Sequence, residues 1–408
     1  MTARVQSLSV ADPLSEPSLQ RALVDEYLVW DGFVAGERRV DLHPLLLSPA
    51  LHVQAVRAAE QVARLVDDVA RVAFEDDEEA ARYRVHPSIA RLARASHAAG
   101  DDARLVRVDL LLGADGVFRA CEVNADCPGG HNEAHGLPRL ARAAGHSRGH
   151  DPTRVLTALA QRLAALAKES GVPDAVGLIY ATAYAEDLQV CALVRRALGK
   201  LGVEGILAPP TSPRFTGGRL CIGGRPVGAL YRYFPAEYME GQRNLADYEA
   251  AITTGAVRTL SSFAQLYAQS KLAFARAFAH GASSPHLPET IDLDAIEPSR
   301  LLTERADWVV KRAFGRVGED VLVGSLYEDG DWLPALRAAL ADQAKGQSWI
   351  AQRFVRQAPI PTPWGPRYVT LGAYVLDGTF QGYFARITPE SHVSHEALVV
   401  PVFVAEDA

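Results

Sequence analysis

The sequence predicts a mixed α/β chain of several subdomains. Three observations carry this: two long stretches with helical apolar spacing, one strand–helix–strand unit of parallel type, and a tight hairpin whose polar residues share a face. The 408 residues leave room for roughly two to four domain-sized units.

Residues 51–74 (LHVQAVRAAEQVARLVDDVARVAF) set apolar side chains on one helical face and charges on the other. Residues 105–124 read as a β segment. Residues 153–168 return to helical spacing and are closed by Gly171 and Pro173. Residues 176–181 form a short apolar run, 186–200 a helix and 203–207 a second apolar run, the signature of a parallel βαβ unit. Gly217-Gly218 and Gly223-Gly224 bracket a small hairpin, and 227–231 reads as a strand. Helical pattern dominates 245–280, and the Pro- and Ser-bearing stretch 282–289 reads as a linker. Strands are expected at 307–312 and 320–324, a helix at 333–344, and strands again near 348–355, 368–376 and 380–387. No repeat or low-complexity tract interrupts this order.

Hydrophobic residues make up 48% of the chain and charged residues 22%, a balance that supports a full apolar core. A net charge of −7 and a pI near 6.0 argue against binding a phosphate backbone, which needs clustered Lys and Arg. No apolar run approaches the roughly 18 residues of a membrane span, and the first residues lack a signal-type apolar stretch. The four cysteines, Cys121, Cys127, Cys191 and Cys221, form no CxxC pair and read as reduced thiols. Cytoplasm is therefore the expected compartment, with neither nucleic acid nor membrane as partner.

The most informative segment is RVDLLLGADGVFRACEVN, residues 107–124. Asp115-Gly116 lies between two apolar-rich strands, a strong signal for a two-residue turn. Pairing outward from that turn sets Asp109 opposite Glu122 and Arg107 opposite Asn124, all on one face because side chains alternate. The other face would hold Val108, Leu110, Leu112, Val117, Cys121 and Val123, interrupted by Arg119. Opposed carboxylates cost about 0.2–1 kcal/mol in a sheet pair, so a counter-charge is needed. A divalent cation is one answer, since two carboxylates and an Asn oxygen are hard donors of the kind Mg²⁺ takes when phosphates complete its shell. Arg107 as a diagonal ion-pair partner on a solvated hairpin is the other, and spacing alone leaves both open.

Two patterns mislead. HNEAH, His131–His135, has its two histidines at i and i+4 but its Glu at i+2, so it is not a zincin motif. The glycines of GGRLCIGG sit at hairpin turns without the strand-to-helix context of a dinucleotide fingerprint.

These residues, taken together, resemble the synthetase part of the glutathionylspermidine synthase family. Arg107-Val-Asp109, then Glu122-Val-Asn124-Ala-Asp126-Cys-Pro128 with Glu133-Ala134, is similar to the family's metal-binding segment. Tyr231-Arg232-Tyr-Phe-Pro235 resembles a family strand, Ser270-Lys271 its first ATP-binding lysine, and Lys311 its second. Gln352 in WIAQRFV is similar to the adenine-holding segment, and Leu371-Gly372 with Gly382 and Arg386 to the last sheet strands. The resemblance implies a circularly permuted ATP-grasp fold with an inserted Rossmann-like (pre-ATP-grasp) βαβ subdomain. It divides the chain into an N-terminal helical part (1–104), the metal hairpin and substrate loop (105–150), the βαβ subdomain (151–260), and the nucleotide-binding lysines, lid and final sheet (261–408). The candidate metal residues precede the lysines, as permutation requires.

The activity implied is an ATP-dependent ligase that joins a carboxylate to an amine through an acyl phosphate, releasing ADP and phosphate. Asp109, Glu122 and Asn124 would hold two Mg²⁺ ions. Arg107 and Arg386 would stabilise the transferring phosphoryl group; a surface arginine is the plainer reading of Arg386. Lys311 ends an apolar strand and needs an anion, which a nucleotide phosphate supplies. Lys271 is either an ordinary helix-surface lysine or a second phosphate ligand. The stretch with Gly315, Arg316 and Gly318 is either a plain turn or a lid offering backbone N–H groups. Gln352 with the backbone of Arg353, Phe354 and Val355 would hold adenine. Asp126, Cys127, Gly129, Gly130 and His131 lie where the family reads its acid substrate, but the family's small hydroxyl residues are missing. Glu186 and Asp187 open a helix, where carboxylates ordinarily serve the dipole; binding a cationic amine is the alternative. Substrates are a small-molecule or peptide acid and an amine, and a homodimer is the family's expectation. A phosphotransferase with a hydroxyl acceptor, or a non-catalytic nucleotide binder, are the competing readings.

Overall fold

The computed structural model describes residues 5–9, 15–34, 36–315, 320–392 and 397–406. Three sheets organise it. The largest runs, in spatial order, Leu398–Val400, Thr379–Thr388, Gly365–Leu376, Leu105–Leu112 and Phe118–Asn124, with Ile360–Thr362 paired to the long central strand. The hairpin at 105–124 thus shares a sheet with strands more than 240 positions later, since Gly372 pairs with Asp109 and Tyr374 with Arg107. A second sheet is antiparallel, in the order Thr290–Asp292, Trp349–Arg353, Trp308–Arg312, Val321–Val323. The third is parallel, in the order Arg258–Leu260, Ala229–Tyr233, Ala175–Tyr180, Glu204–Ala208. This is the circularly permuted ATP-grasp arrangement with its pre-ATP-grasp βαβ unit.

Each sheet buries a face against helices for the reason the patterns gave. The helix Pro49–Glu75 starts on a Ser48 cap with Pro49 in its first turn, where no N–H is missed. Its apolar stripe, from Leu51 through Ala55, Val62 and Val66 to Ala73, packs on Val108, Leu110, Leu371 and Ala385 of the large sheet. Helices Val155–Glu169 and Ala185–Gly199 clothe the parallel sheet through Leu159, Leu163, Cys191 and Val194. Helix Asp329–Ala344 sets Trp332 and Leu336 against Trp308, Val310 and Trp349 of the antiparallel sheet. The strand Leu45–Leu47 pairs with Val5–Ser7 on one side and Val402–Val404 on the other, binding both ends of the described chain to one small sheet.

Three expectations change. The hairpin turn is longer by one residue: Gly113 N–H donates to Val117 O at 2.9 Å, with Gly116 at φ +79. The register then shifts between Asp109 and Leu110, where Cys121 is the extra residue of a bulge. The two departures cancel beyond the bulge, so Asp109 still faces Glu122 and Arg107 still faces Asn124. Between turn and bulge the faces invert. Phe118 and Ala120 point into the core instead of Val117 and Cys121, and Arg119 turns out to pair with Asp115 at 2.6 Å. The second change is at 245–280, which is not all helix; Arg258–Leu260 is the edge strand of the parallel sheet. The third is the supposed linker at 282–289. Ala120 N–H donates to His286 O at 2.8 Å, and His286 Nδ1 lies 2.8 Å from Phe118 O. That segment covers the free edge of strand Phe118–Asn124, a standard protection for an exposed ladder.

Candidate active site in the cleft between two sheets

The polar face of the hairpin looks across at the cleft face of the antiparallel sheet. Strand alternation explains the side each residue takes. Trp308 and Val310 point to the far helix, so Lys311 points to the hairpin; Trp349 and Ala351 likewise leave Gln352 facing inward. Lys311 Nζ donates to Cys121 O at 2.7 Å and to Gln352 Oε1 at 2.9 Å. The bulge is what turns that carbonyl toward the lysine, because an extra residue re-aims the strand locally. Gln352 Nε2 donates in turn to Thr290 Oγ1 at 3.1 Å. Its side chain therefore holds Lys311 and joins it to Thr290.

Charge is dense and paired here. Asp109, fully buried, accepts from Arg107 Nε at 2.6 Å and Nη2 at 3.0 Å, and from Arg386 Nη2 at 2.7 Å. Glu122 lies 3.4 Å from Lys271 Nζ and accepts from Asn124 Nδ2 at 3.1 Å. Burial alone would push the Glu122 carboxyl up, but Lys271, Lys311, Arg386 and Arg107 outweigh it and hold it well below the usual carboxylate range. Burial lowers Lys311 to about 8. The two counter-charge readings of the hairpin are thus not exclusive: Arg107 does pair with Asp109, and the carboxylate pair also faces two lysines. Lys271 sits at the start of helix Leu272–Ala279, is nearly buried, and donates to Gly315 O at 2.7 Å, tying it to the loop after the Trp308–Arg312 strand. Arg316 and Gly318 lie outside the described residues.

At the end of strand Trp349–Arg353 a side chain is engaged away from the backbone groups expected to hold adenine. The Arg353 side chain pairs with Glu289 and Glu304, each at 2.9 Å, and stacks on Trp308 at 4.2 Å. Arg353, Phe354 and Val355 line an open cavity of about 490 Å³ together with Leu287, Pro288 and Asp115.

The loop after Asn124 departs most from expectation. Asp126 is buried, with one oxygen on Arg232 and the other accepting from Ala236 N–H at 2.7 Å. Arg232 is itself fully buried over Phe263 at 4.4 Å. Asp126 therefore anchors the loop to the parallel sheet through both of its oxygens. The buried Gln269 amide does similar work, accepting from the N–H groups of Ala125 and Asp126 at 2.8 and 2.9 Å. Gly129 O accepts from Arg107 Nη1 at 2.9 Å and Tyr374 Oη at 2.6 Å. Gly130 has φ +88, and a Cβ there would come within 2.5 Å of the Phe384 ring, so glycine is required. His131, fully buried among Tyr231, Tyr233 and Tyr374, is pushed down to about 3 by burial and by Arg107. Cys127 lies in the same loop, half-buried and unoxidised. Glu186 and Asp187 lie in the first turn of helix Ala185–Gly199.

Among the described residues no group of three or more His, Cys, Asp or Glu is placed to hold a metal, and His135 of HNEAH lies edge-on to Tyr27. Asp109, Glu122 and Asn124 offer a different donor set, two carboxylates and an amide. Their donors fit Mg²⁺, since a carboxylate has lone pairs beyond those two arginines use. No helix among the described residues is long and apolar enough to cross a membrane. Gln269 has no local signal in the sequence, because it acts on the Ala125–Asp126 backbone more than 140 positions away; Arg232 is marked only by its place in the Tyr231–Pro235 motif.

Over its whole length the chain resembles, at 12% identity and a TM-score of 0.60, a glutathione synthetase-like effector from Globodera pallida solved in its apo form, covering 98% of this chain and 100% of that one. This similarity speaks for the fold. A candidate γ-glutamylcysteine synthetase from Methylobacillus flagellatus aligns at 15% identity over 84% of each chain, with a TM-score of 0.41. No curated protein matches the sequence. The model of the glutathionylspermidine synthase pre-ATP-grasp family matches residues 48–405, and the chain belongs to that family.

Proposed function

We propose that this chain is an ATP- and Mg²⁺-dependent ligase that activates a small-molecule or peptide carboxylate as an acyl phosphate and joins it to an amine, releasing ADP and phosphate. The observation that carries the reading is the convergence on Glu122 of Lys271 and Lys311, opposite an Asp109 clamped by Arg107 and Arg386. Two lysines, two arginines and two carboxylates from four separate stretches have no structural need to meet in one cleft. Binding a polyphosphate with its cation gives them one.

In this reading Lys271 and Lys311 hold phosphate oxygens, and backbone groups of residues 353–355 hold adenine. Asp109, Glu122 and Asn124 would hold Mg²⁺, which neutralises charge on the phosphates when bound. Arg107 and Arg386 share Asp109, so their free guanidinium donors are fixed on the side where the acid must sit. Both can then stabilise charge as the carboxylate oxygen attacks the γ-phosphorus and, later, as the amine adds to the acyl carbon. The lost family hydroxyls, replaced by Cys127, Gly129 and Gly130, indicate an acid other than the family's own.

The test is a screen of acid–amine pairs with ATP and Mg²⁺, reading ADP and the mass of the product. ADP release that requires both partners and yields an amide supports the ligase. AMP with pyrophosphate excludes the acyl phosphate, and a stable phosphorylated alcohol would make the chain a phosphotransferase.

A further inference from the structure

A lysine carries its ammonium on a flexible four-carbon stem, and holding that group at one point takes partners. Three strands of the antiparallel sheet supply them for Lys311. In register, Lys311 pairs with Ile350, and Gln352 pairs with both Val309 and Thr290. Alternation therefore sets Lys311, Gln352 and Thr290 in one row on the cleft face. All three are buried, at 6%, 3% and 0% exposure.

The hydrogens along this row can be assigned in one way. An ammonium only donates, so the Lys311 Nζ contact at 2.9 Å falls on the Gln352 amide oxygen. The amide nitrogen then faces Thr290 Oγ1 at 3.1 Å and donates to it. The Thr290 hydroxyl hydrogen is left for Pro288 O at 2.8 Å, which can only accept. Turning the amide over would set its NH2 group against the ammonium.

The row is anchored at its far end. Pro288 belongs to segment 284–289, and two residues earlier His286 is bonded to the hairpin: Ala120 N–H donates to His286 O, and His286 Nδ1 meets Phe118 O, both at 2.8 Å. Lys311 also donates to Cys121 O at 2.7 Å. Both supports of the ammonium thus start from strand Phe118–Asn124, one directly and the other through Pro288, Thr290 and Gln352. This closed ring uses two of the three ammonium hydrogens and leaves one for a ligand. Its inner members are buried, so solvent is a poor substitute for a broken link.

We propose that Thr290 is a positioning residue for Lys311: anchored on Pro288 O, its hydroxyl orients the Gln352 amide, and that amide fixes the ammonium for a phosphate oxygen. The phosphate in this statement rests on the ligase reading; the hydrogen-bonded row does not. Segment 284–290 is then a support of the phosphate lysine and not a linker.

Calorimetric titration of the full chain with ATP and Mg²⁺ tests it in a double-mutant cycle. Thr290→Val keeps the shape and removes the hydroxyl; it should weaken ATP binding about tenfold. Thr290→Ser restores the hydroxyl and should bind within about twofold of wild type. Lys311→Ala should itself weaken binding, and adding Thr290→Val to it should change the Kd by less than about twofold. A role in sheet packing alone would carry its full loss into that background. Urea denaturation reports folding; should Thr290→Val not fold, Gln352→Met in the same cycle decides, since it cuts the row one step nearer the lysine. Unchanged affinity in Thr290→Val beside a loss in Lys311→Ala, no recovery in Thr290→Ser, or an undiminished loss on the Lys311→Ala background overturns the positioning role alone. No ATP binding by the wild type, or binding that Lys311→Ala leaves intact, overturns the nucleotide reading and the proposal with it.

Discussion

In the proposed nucleotide cleft every carboxylate has cations beside it, Asp109 between Arg107 and Arg386 and Glu122 beside Lys271. Around Glu133, burial raises the carboxyl to about 8, and the charges of Asp31 and Glu186 act in the same direction. The first arrangement keeps its groups ionised and fixed, which suits alignment of a phosphoryl group. The second holds a carboxyl largely in its neutral form at pH 7. The difference teaches that a buried carboxyl stays ionised where cations pair with it and is pushed toward its neutral form where burial and like charges prevail.

Cutting the tie between the two regions should have the largest effect. Asp126→Ala leaves Arg232 fully buried without its partner, and about 3–5 kcal/mol of stability should go with it. Urea denaturation would measure this, and a loss under about 1 kcal/mol would mean the pair is not the anchor described. Within the nucleotide cleft, Asp109→Asn and Glu122→Gln should each lower ATP turnover on the order of a hundredfold or more. Turnover at the wild-type rate in either variant would end the metal assignment. A subtler break leaves all charges in place. A Cβ at Gly372 would come within 2.8 Å of Arg107 Cδ and 2.9 Å of Phe384 O. Gly372→Ala should therefore push Arg107 off Asp109 and reduce kcat by roughly tenfold, while the Kd for ATP hardly moves. The smallest effect is one of pH. Lys311 carries its charge below about 8 and loses it above, so KM for ATP should be lowest below that pH and rise beyond it. Lys311→Arg, which cannot lose its charge there, should flatten the rise; an unaltered profile would put the titration elsewhere.

Much of this was legible in the chain itself, for a physical reason. Helix Pro49–Glu75 and the βαβ unit at Ala175–Ala208 follow from periodicity, which is fixed by backbone geometry within a few residues. The opposition of Asp109 and Glu122 was read from an Asp-Gly bend, though it survives only because a longer turn and a bulge at Cys121 offset each other. Neither irregularity has a local signal; the bulge is stabilised by Lys311, which lies 190 positions away.

What the sequence by itself determined was the set of elements and the face on which each charged side chain lies, because alternation and turn chemistry act over neighbouring residues. Which charges meet was decided only by tertiary structure. Lys271 reaches Glu122, Arg232 takes Asp126, and Gln189 reaches Asp31 through contacts that span more than a hundred positions of chain. Such partners are selected by the packing of whole sheets and helices, and no short stretch of sequence encodes that packing.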